Sequence, residues 1–184
     1  SAGVVVGKIG SSTASLNEII EYEAIINKSS SDRHIRSISE IAKICTDLKL
    51  NNKKVVFTNG CFDLLHSGHI RYLEQAKSFG DILIVGVNSD RSVKILKGDD
   101  RPINGQQDRA YILAALEVVD YVVIFDEETP LNLIKLILPN ILVKGGDYKG
   151  KEVIGKNLVE ELKIVEFIKN KSTSKIINKI QNLD

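Results

Sequence analysis

His66 and His69 bracket Ser67-Gly68, so two of the chain's three histidines stand three residues apart. They follow the apolar run Lys54-Val55-Val56-Phe57 by way of Thr58-Asn59-Gly60-Cys61-Phe62-Asp63. Imidazoles at this spacing suit two kinds of chemistry, ligation of a soft metal or donation of hydrogen bonds to an anion. A structural zinc site takes four nitrogen or sulfur ligands, and Cys61 is the one other soft ligand nearby. A phosphate needs less. Gly60 permits close backbone approach, and Gly68 lets a substituent lie against the start of the following helix. A helix N-terminus adds unpaired N–H groups and partial positive charge. Two imidazoles there can follow charge that develops on a phosphoryl group. A purely structural role for both rings is the plain alternative; the phosphate reading is preferred to it and to metal.

Other residues could join that chemistry, each with a simpler reading beside it. Asp63 could bind sugar hydroxyls or cap the helix that follows. Lys144-Gly145-Gly146-Asp147 suits close approach to a nucleotide, and equally a plain turn. Ser172, Thr173 and Ser174 offer hydroxyls at a second helix start, where they would also serve as an N-cap. Two common phosphate signatures fail. Gly3-Val-Val-Val-Gly7-Lys8-Ile9 is one residue short of a Walker A loop and has Ile where Ser or Thr should bind Mg²⁺. After the first long apolar run there is no G-x-G-x-x-G, so a nicotinamide dinucleotide site is not expected.

These groups need elements to hold them. KVVFT (54–58), DILIVGVN (81–88), DYVVIFD (120–126), ILVKGG (141–146) and KIVEF (163–167) read as five strands. Helical patterns separate them: GHIRYLEQAKSFG, a short helix from Ser89, GQQDRAYILAALEV (105–118), a helix from Thr129-Pro130 through Leu138, and one near 156–162. A last helix begins near Ser174. Strands alternating with helices predict an α/β fold, a doubly wound, Rossmann-like parallel sheet of five strands with helices on both faces. Ligands of such sheets sit beyond the carboxyl ends of the strands, where strand order reverses. The polar stretches to watch are therefore TNGCFD, NSDR, DEET, KGGD and KNKSTS.

The first fifty residues differ in texture. SAGVVVGKIGSS (1–12) reads as an apolar element ending in a turn, and Ser15-x-x-Glu18 as a capping box for a helix over LNEIIEYEAIINK. SSSDRH (29–34) reads as a polar linker. A second capping box, Ser37-x-x-Glu40, precedes Ile38, Ile41, Ala42, Cys45 and Leu48 at helical spacing. Cys45 lies on that apolar face, which marks a packed thiol.

Composition narrows the function classes. The 25 Lys and Arg against 24 Asp and Glu argue against a nucleic-acid or membrane-surface binder. No apolar run approaches the roughly 20 residues that span a bilayer. Two cysteines cannot build a disulfide framework, so a reducing cytoplasm is the expected compartment. The start at Ser1-Ala2-Gly3 and the absence of methionine suggest a piece of a longer product.

TNGCFDLLHSGH (58–69) resembles the signature of the nucleotidyltransferase superfamily that carries a His-x-Gly-His element. KGDDRPIN (97–104), ALEVVDYVV (115–123), ILPNILVKGGDY (137–148) and STSKII (172–177) are similar, in order, to the adenylyltransferase half of the bifunctional heptose 7-phosphate kinase/heptose 1-phosphate adenylyltransferases. AGVVVGKIGSSTAS resembles the last element of the kinase half. FIKNK (167–171) departs from the basic Arg-Thr-x-Gly stretch of glycerol-phosphate cytidylyltransferases and favours the heptose branch. Ser174 replaces the last Thr of a Ser-Thr-Thr element and keeps a hydroxyl, with Lys169 and Lys171 adjacent.

The resemblance implies transfer of AMP from ATP to a heptose 1-phosphate, giving ADP-heptose and pyrophosphate with Mg²⁺, for lipopolysaccharide inner-core synthesis. It implies residues 1–52 as the kinase end plus a helical linker and 53–184 as the nucleotidyltransferase domain. It places a kinase domain in the same full-length chain and a possible homodimer, with neither nucleic acid nor membrane as partner. His66 and His69 would hold the triphosphate, and Lys97 with Lys94 would neutralise phosphate. Arg109, otherwise an ordinary helix-surface charge, would reach the active site. Nucleotide binding would fall to Thr58, Asn59, Gly60, Cys61, Phe62, Lys144, Gly145, Asp147, Ser172, Thr173 and Ser174, and sugar-phosphate binding to Asp63 and Lys94. Two alternatives stay open: a cytidylyltransferase of a small polyol phosphate, and a non-catalytic nucleotide-binding module.

Overall fold

The computed structural model describes Ser15 and residues 31–166 and 173–182. The apolar opening over 1–12 and the helix expected behind Ser15 lie outside the described residues. Five strands form one sheet: β1 (Val55–Gly60), β2 (Ile82–Asn88), β3 (Tyr121–Phe125), β4 (Ile141–Gly145) and β5 (Glu161–Val165). Their order is β3-β2-β1-β4-β5, and every pairing is parallel. The order reverses between β1 and β4. The predicted doubly wound α/β fold is present.

Successive strand residues point to opposite faces, and each face here builds its own core. Val56, Leu83, Val85, Val122, Ile141 and Val143 pack under α2 (Ser67–Lys77) and α4 (Gln106–Ala114). Their neighbours Val55, Phe57, Ile84, Val123, Phe125 and Leu142 pack under α1 (Ile38–Leu50) and α5 (Leu131–Ile137). A sheet covered on both sides requires these near-continuous apolar runs. The remaining described α-helices are α3 (Asp90–Lys97) and α6 (Thr173–Gln181).

Upstream of β1 the structure departs from the expected linker. Ser31–His34 forms a short 3-10 helix, because His34 Nδ1 bonds the Asp120 carbonyl at 2.8 Å and Ile35 bridges Val122 on the edge strand. The Ser37 capping box forms, with Ser37 N–H donating to Glu40 at 2.8 Å. α1 then buries Ile41 and Cys45 against the sheet. Burial pushes the Cys45 thiol up to about 11, as befits a packed group. The packed unit thus extends upstream of residue 53, to the segment expected as linker.

Two other boundaries shift. Pro130 is itself the N-cap of α5, which runs only to Ile137. The helix expected near 156–162 is a single 3-10 turn, Lys156–Leu158, because β5 begins at Glu161.

Candidate active site

A crevice of about 570 Å³ opens where the strand order reverses, beyond the carboxyl ends of β1 and β4. α2 starts at its edge, and its first turn is closed by imidazoles. His66 is the N-cap and accepts the Gly68 N–H on Nδ1 at 3.1 Å. His69, at the third helical position, accepts the His66 N–H on Nδ1 at 3.4 Å. This is a capping box in which two histidines take the parts usually played by Ser or Thr and Glu. A ring nitrogen that accepts an N–H carries no proton, so each neutral ring holds its proton on Nε2. The rings stack with centroids 4.0 Å apart and planes at 19°. Burial, then the neighbouring His66, lowers the pKa of His69 to about 4, so His69 is uncharged at neutral pH.

The loop between β1 and α2 carries the support for this pair. Phe62 adopts a left-handed backbone (φ 47°), a strained conformation for a bulky residue. Its ring lies edge-on to His69, with centroids 5.6 Å apart. A Cβ on Gly60 would stand 3.2 Å from that ring, so glycine at 60 makes room for Phe62.

Asp63 neither caps α2 nor stands open to a sugar. Its carboxylate accepts the N–H groups of Ile103 and Asn104, both at 2.8–2.9 Å through Oδ1, and pairs with Arg101 at 2.5 Å. Burial raises its pKa, but these backbone bonds and Arg101 outweigh burial and hold the carboxyl below its ordinary value. Arg109 is 1% exposed. It donates to the Cys61 carbonyl at 2.6 Å, to the Asn104 carbonyl at 2.9 Å and to Asp90 at 2.7 Å. The expected reach into the active site is replaced by a brace behind its wall, since each of the three guanidinium nitrogens donates to an acceptor there.

The other expected residues divide. Asn59, Gly60, Cys61, Phe62 and Asp63 line the crevice, as do His66, His69 and Lys97. Lys144 and Gly145 of β4, Asp147 just after it, and Thr173 also line it. Thr58 is fully buried beneath it. Lys94 is exposed on α3 and is not among the lining residues, whereas Leu96 and Lys97 at the end of the same helix are. Thr173 Oγ1 donates to the Leu64 carbonyl at 3.2 Å. Ser172 and the Ser174 side chain lie outside the described residues. Cys61 is no activated nucleophile, since burial raises its thiol pKa against the pull of Lys97, Arg109 and Arg101.

Lys144 is the buried cation of the site, 4% exposed. Its Nζ donates to Asn59 Oδ1 at 2.5 Å and lies 5.1 Å from the Tyr148 ring centroid. Burial lowers its pKa to about 8, with Asp147 acting in the opposite direction.

Residues not singled out from sequence also line the crevice. Glu128 and Asn88 belong to strand-end stretches already marked as places to watch, so their signal was present. Tyr72, Tyr148 and Glu152 carried none, since an aromatic on an amphipathic helix or an acid in a loop reads as core or surface. Among the described residues, no three His, Cys, Asp or Glu side chains group as metal ligands. The crevice carboxylates are Glu128, Asp147 and Glu152, and one or two carboxylates suffice for a hard divalent cation that keeps its other ligands from water or substrate.

The cytidylyltransferase-like family matches residues 57–182, the crevice and all of this sheet but the first two residues of β1. The chain belongs to that family. Its sequence is 61% identical over 180 residues to the bifunctional protein HldE of Aliarcobacter butzleri, covering 98% of this chain and 38% of that protein. The corresponding protein of Sulfurimonas denitrificans is 62% identical over 180 residues, with the same coverage. The chain therefore spans little more than a third of the length of these relatives. A lipopolysaccharide core biosynthesis protein from Thermoplasma volcanium superposes with a TM-score of 0.52 at 31% identity, covering 65% of this chain and 99% of that one. Pantoate-beta-alanine ligase from Francisella tularensis, at 21% identity and a TM-score of 0.54 over 81% of this chain and 78% of that one, shares the fold. No helix among the described residues is long and apolar enough to cross a membrane.

Proposed function

We propose that the chain transfers the AMP of ATP to a heptose 1-phosphate, forming ADP-heptose and releasing pyrophosphate, for lipopolysaccharide core synthesis. The observation that carries this reading is the histidine capping box. Two rings with Nε2 protons stand at a helix N-terminus, on a crevice that also holds Lys97 and the buried Lys144. The names of the relatives and the stretches shared with the heptose adenylyltransferases support the choice of nucleotide and acceptor.

The acceptor's phosphate oxygen attacks the α-phosphorus in line, the bond to the bridging oxygen breaks, and pyrophosphate leaves. No enzyme nucleophile is needed, so the protein contributes orientation and charge stabilisation. His69 donates from Nε2 toward an α-phosphoryl oxygen, and His66 holds the triphosphate beside it. Lys97 and Lys144 supply positive charge. Asn59 and Asp147 present polar groups to nucleotide or sugar. One or two of the crevice carboxylates Glu128, Asp147 and Glu152 would hold a Mg²⁺ that arrives with ATP, which would supply neutralisation of triphosphate charge. The same reading puts the chain in the cytoplasm, joined to a kinase domain in its full-length form and paired as a homodimer.

Pyrophosphate release should be measured with ATP, CTP, GTP and UTP against several sugar 1-phosphates. ATP with a heptose 1-phosphate is expected to be the best pair. The family description favours one second reading, a cytidylyltransferase, and turnover with CTP equal to that with ATP would select it.

A further inference from the structure

β1 and β4 are paired only at Val56↔Ile141 and Phe57↔Leu142, although β1 runs on to Gly60 and β4 to Gly145. On their outer sides the same strands stay in register to the end, β1 with β2 as far as Gly60↔Val87 and β4 with β5 as far as Gly145↔Val165. The two central strands therefore part at their carboxyl ends, and the gap is the floor of the crevice. Something must set its width.

Tyr72 stands in that gap. It is 8% exposed and projects from α2 one helical turn beyond His69. Its hydroxyl lies 2.6 Å from Thr58 Oγ1 on β1 and donates to the Val143 carbonyl on β4 at 3.2 Å. The phenol has one proton, so donation to Val143 makes it the acceptor of the Thr58 hydroxyl proton. One residue further along, Lys144 of β4 reaches Asn59 of β1. Side chains thus replace the backbone ladder where the strands separate, and only the Tyr72 rung also belongs to the helix that bears the histidines.

We infer that Tyr72 is a positioning residue whose hydroxyl ties α2 to both walls of the crevice and so fixes where the His69 ring points. A side chain anchored at i+3 restrains the rotation and slide of the helix turn that carries residue i. A phenylalanine at 72 would fill the same volume and leave α2 free to shift by the slack of two lost bonds. Burial raises the pKa of this phenol, so the bridge keeps its proton throughout the working range.

The inference rests on the proposed reaction for its kinetic arm alone. Tyr72→Phe and Thr58→Val, in the full chain, are compared by amide hydrogen exchange and by turnover. Exchange at Gly68 and His69 is expected to quicken, while amides of central β2 such as Ile84 and Val85 keep their protection. kcat should fall about tenfold in Tyr72→Phe, within the range for loss of its two neutral hydrogen bonds, and less in Thr58→Val, with ATP KM little changed. The double variant should be no slower than Tyr72→Phe, because both substitutions cut one bridge. Thr58→Ser should recover what Thr58→Val loses. Exchange that quickens uniformly across the sheet, with kcat intact below the melting temperature, overturns the inference. So does a Thr58→Val variant with unaltered exchange at His69. If the unaltered chain transfers no nucleotide at all, the proposed reaction fails, and local against uniform exchange still decides the role of Tyr72.

Discussion

At neutral pH the His69 ring is uncharged, since burial and the nearby His66 lower its pKa to about 4. Its contribution to a phosphoryl transfer is therefore a hydrogen bond that strengthens as negative charge builds on the accepting oxygen. His69→Ala is expected to lower kcat by about 10²–10³, the usual effect of removing such a donor, with a much smaller change in ATP KM. His69→Asn keeps a donor of similar reach and should retain more activity than alanine; steady-state kinetics of the two variants checks both statements. Lys144 is a different case, a buried ammonium bonded to a neutral amide. Its pKa is about 8 when folded and near 10.5 when unfolded, so between these values the unfolded chain binds the extra proton. Stability contributed by this site accordingly rises with pH from 8 to 10.5. Relative to Lys144→Met, the unaltered protein should gain stability across that window in urea titrations, while the methionine variant loses affinity for phosphate-bearing substrate.

The loop from Thr58 to His66 is held by two buried ionic groups, Asp63 within it and Arg109 behind it. Asp63 fastens it to residues 101–104, and Arg109 of α4 fastens the Cys61 carbonyl to Asp90 and Asn104. Removing one member of a buried, fully bonded charge cluster costs about 3–5 kcal/mol. Arg109→Ala should approach that loss, because two carbonyls forfeit their donor. Arg91, paired with Asp126 in a bridge more than half exposed, should lose far less stability when replaced by alanine, because water screens the pair. Chemical denaturation of both variants makes the comparison. If Arg109 touched substrate instead, its loss would raise ATP KM while leaving the melting curve in place. Sequence could supply the residue types at this loop but not these partners. Gly60 and Asp63 were legible as important because they end or follow a strand, and Arg109 only through the family resemblance. Asp63 takes its donors from Arg101, Ile103 and Asn104, and Arg109 reaches back to the Cys61 carbonyl, pairings between distant segments that no local pattern encodes.

At the scale of the molecule, strand and helix order was readable because each strand is a short apolar run and each helix repeats near every third or fourth residue. The site's place followed from the reversal of strand order. The extent of the packed unit did not follow, since the polar stretch 29–34 reads as a linker whether or not it docks. Here His34 and Ile35 fasten it to the edge strand, and α1 closes the sheet face that Phe57, Ile84, Val123 and Phe125 would otherwise expose. α1 is thus part of the domain rather than a tether to it. Ile41, fully buried, tests this at a single position: Ile41→Ala should cost about 2–5 kcal/mol, the range for an aliphatic side chain removed from a closed core. Ile38, on the same helix but 40% exposed, should cost far less when replaced by alanine. A chain begun at residue 53 should bind a hydrophobic dye and aggregate, because the part of that sheet face beneath α1, beside α5, would lie open to water. Unfolding of Ile41→Ala at an unaltered denaturant midpoint, together with a well-behaved chain from residue 53, would return α1 to the role of linker.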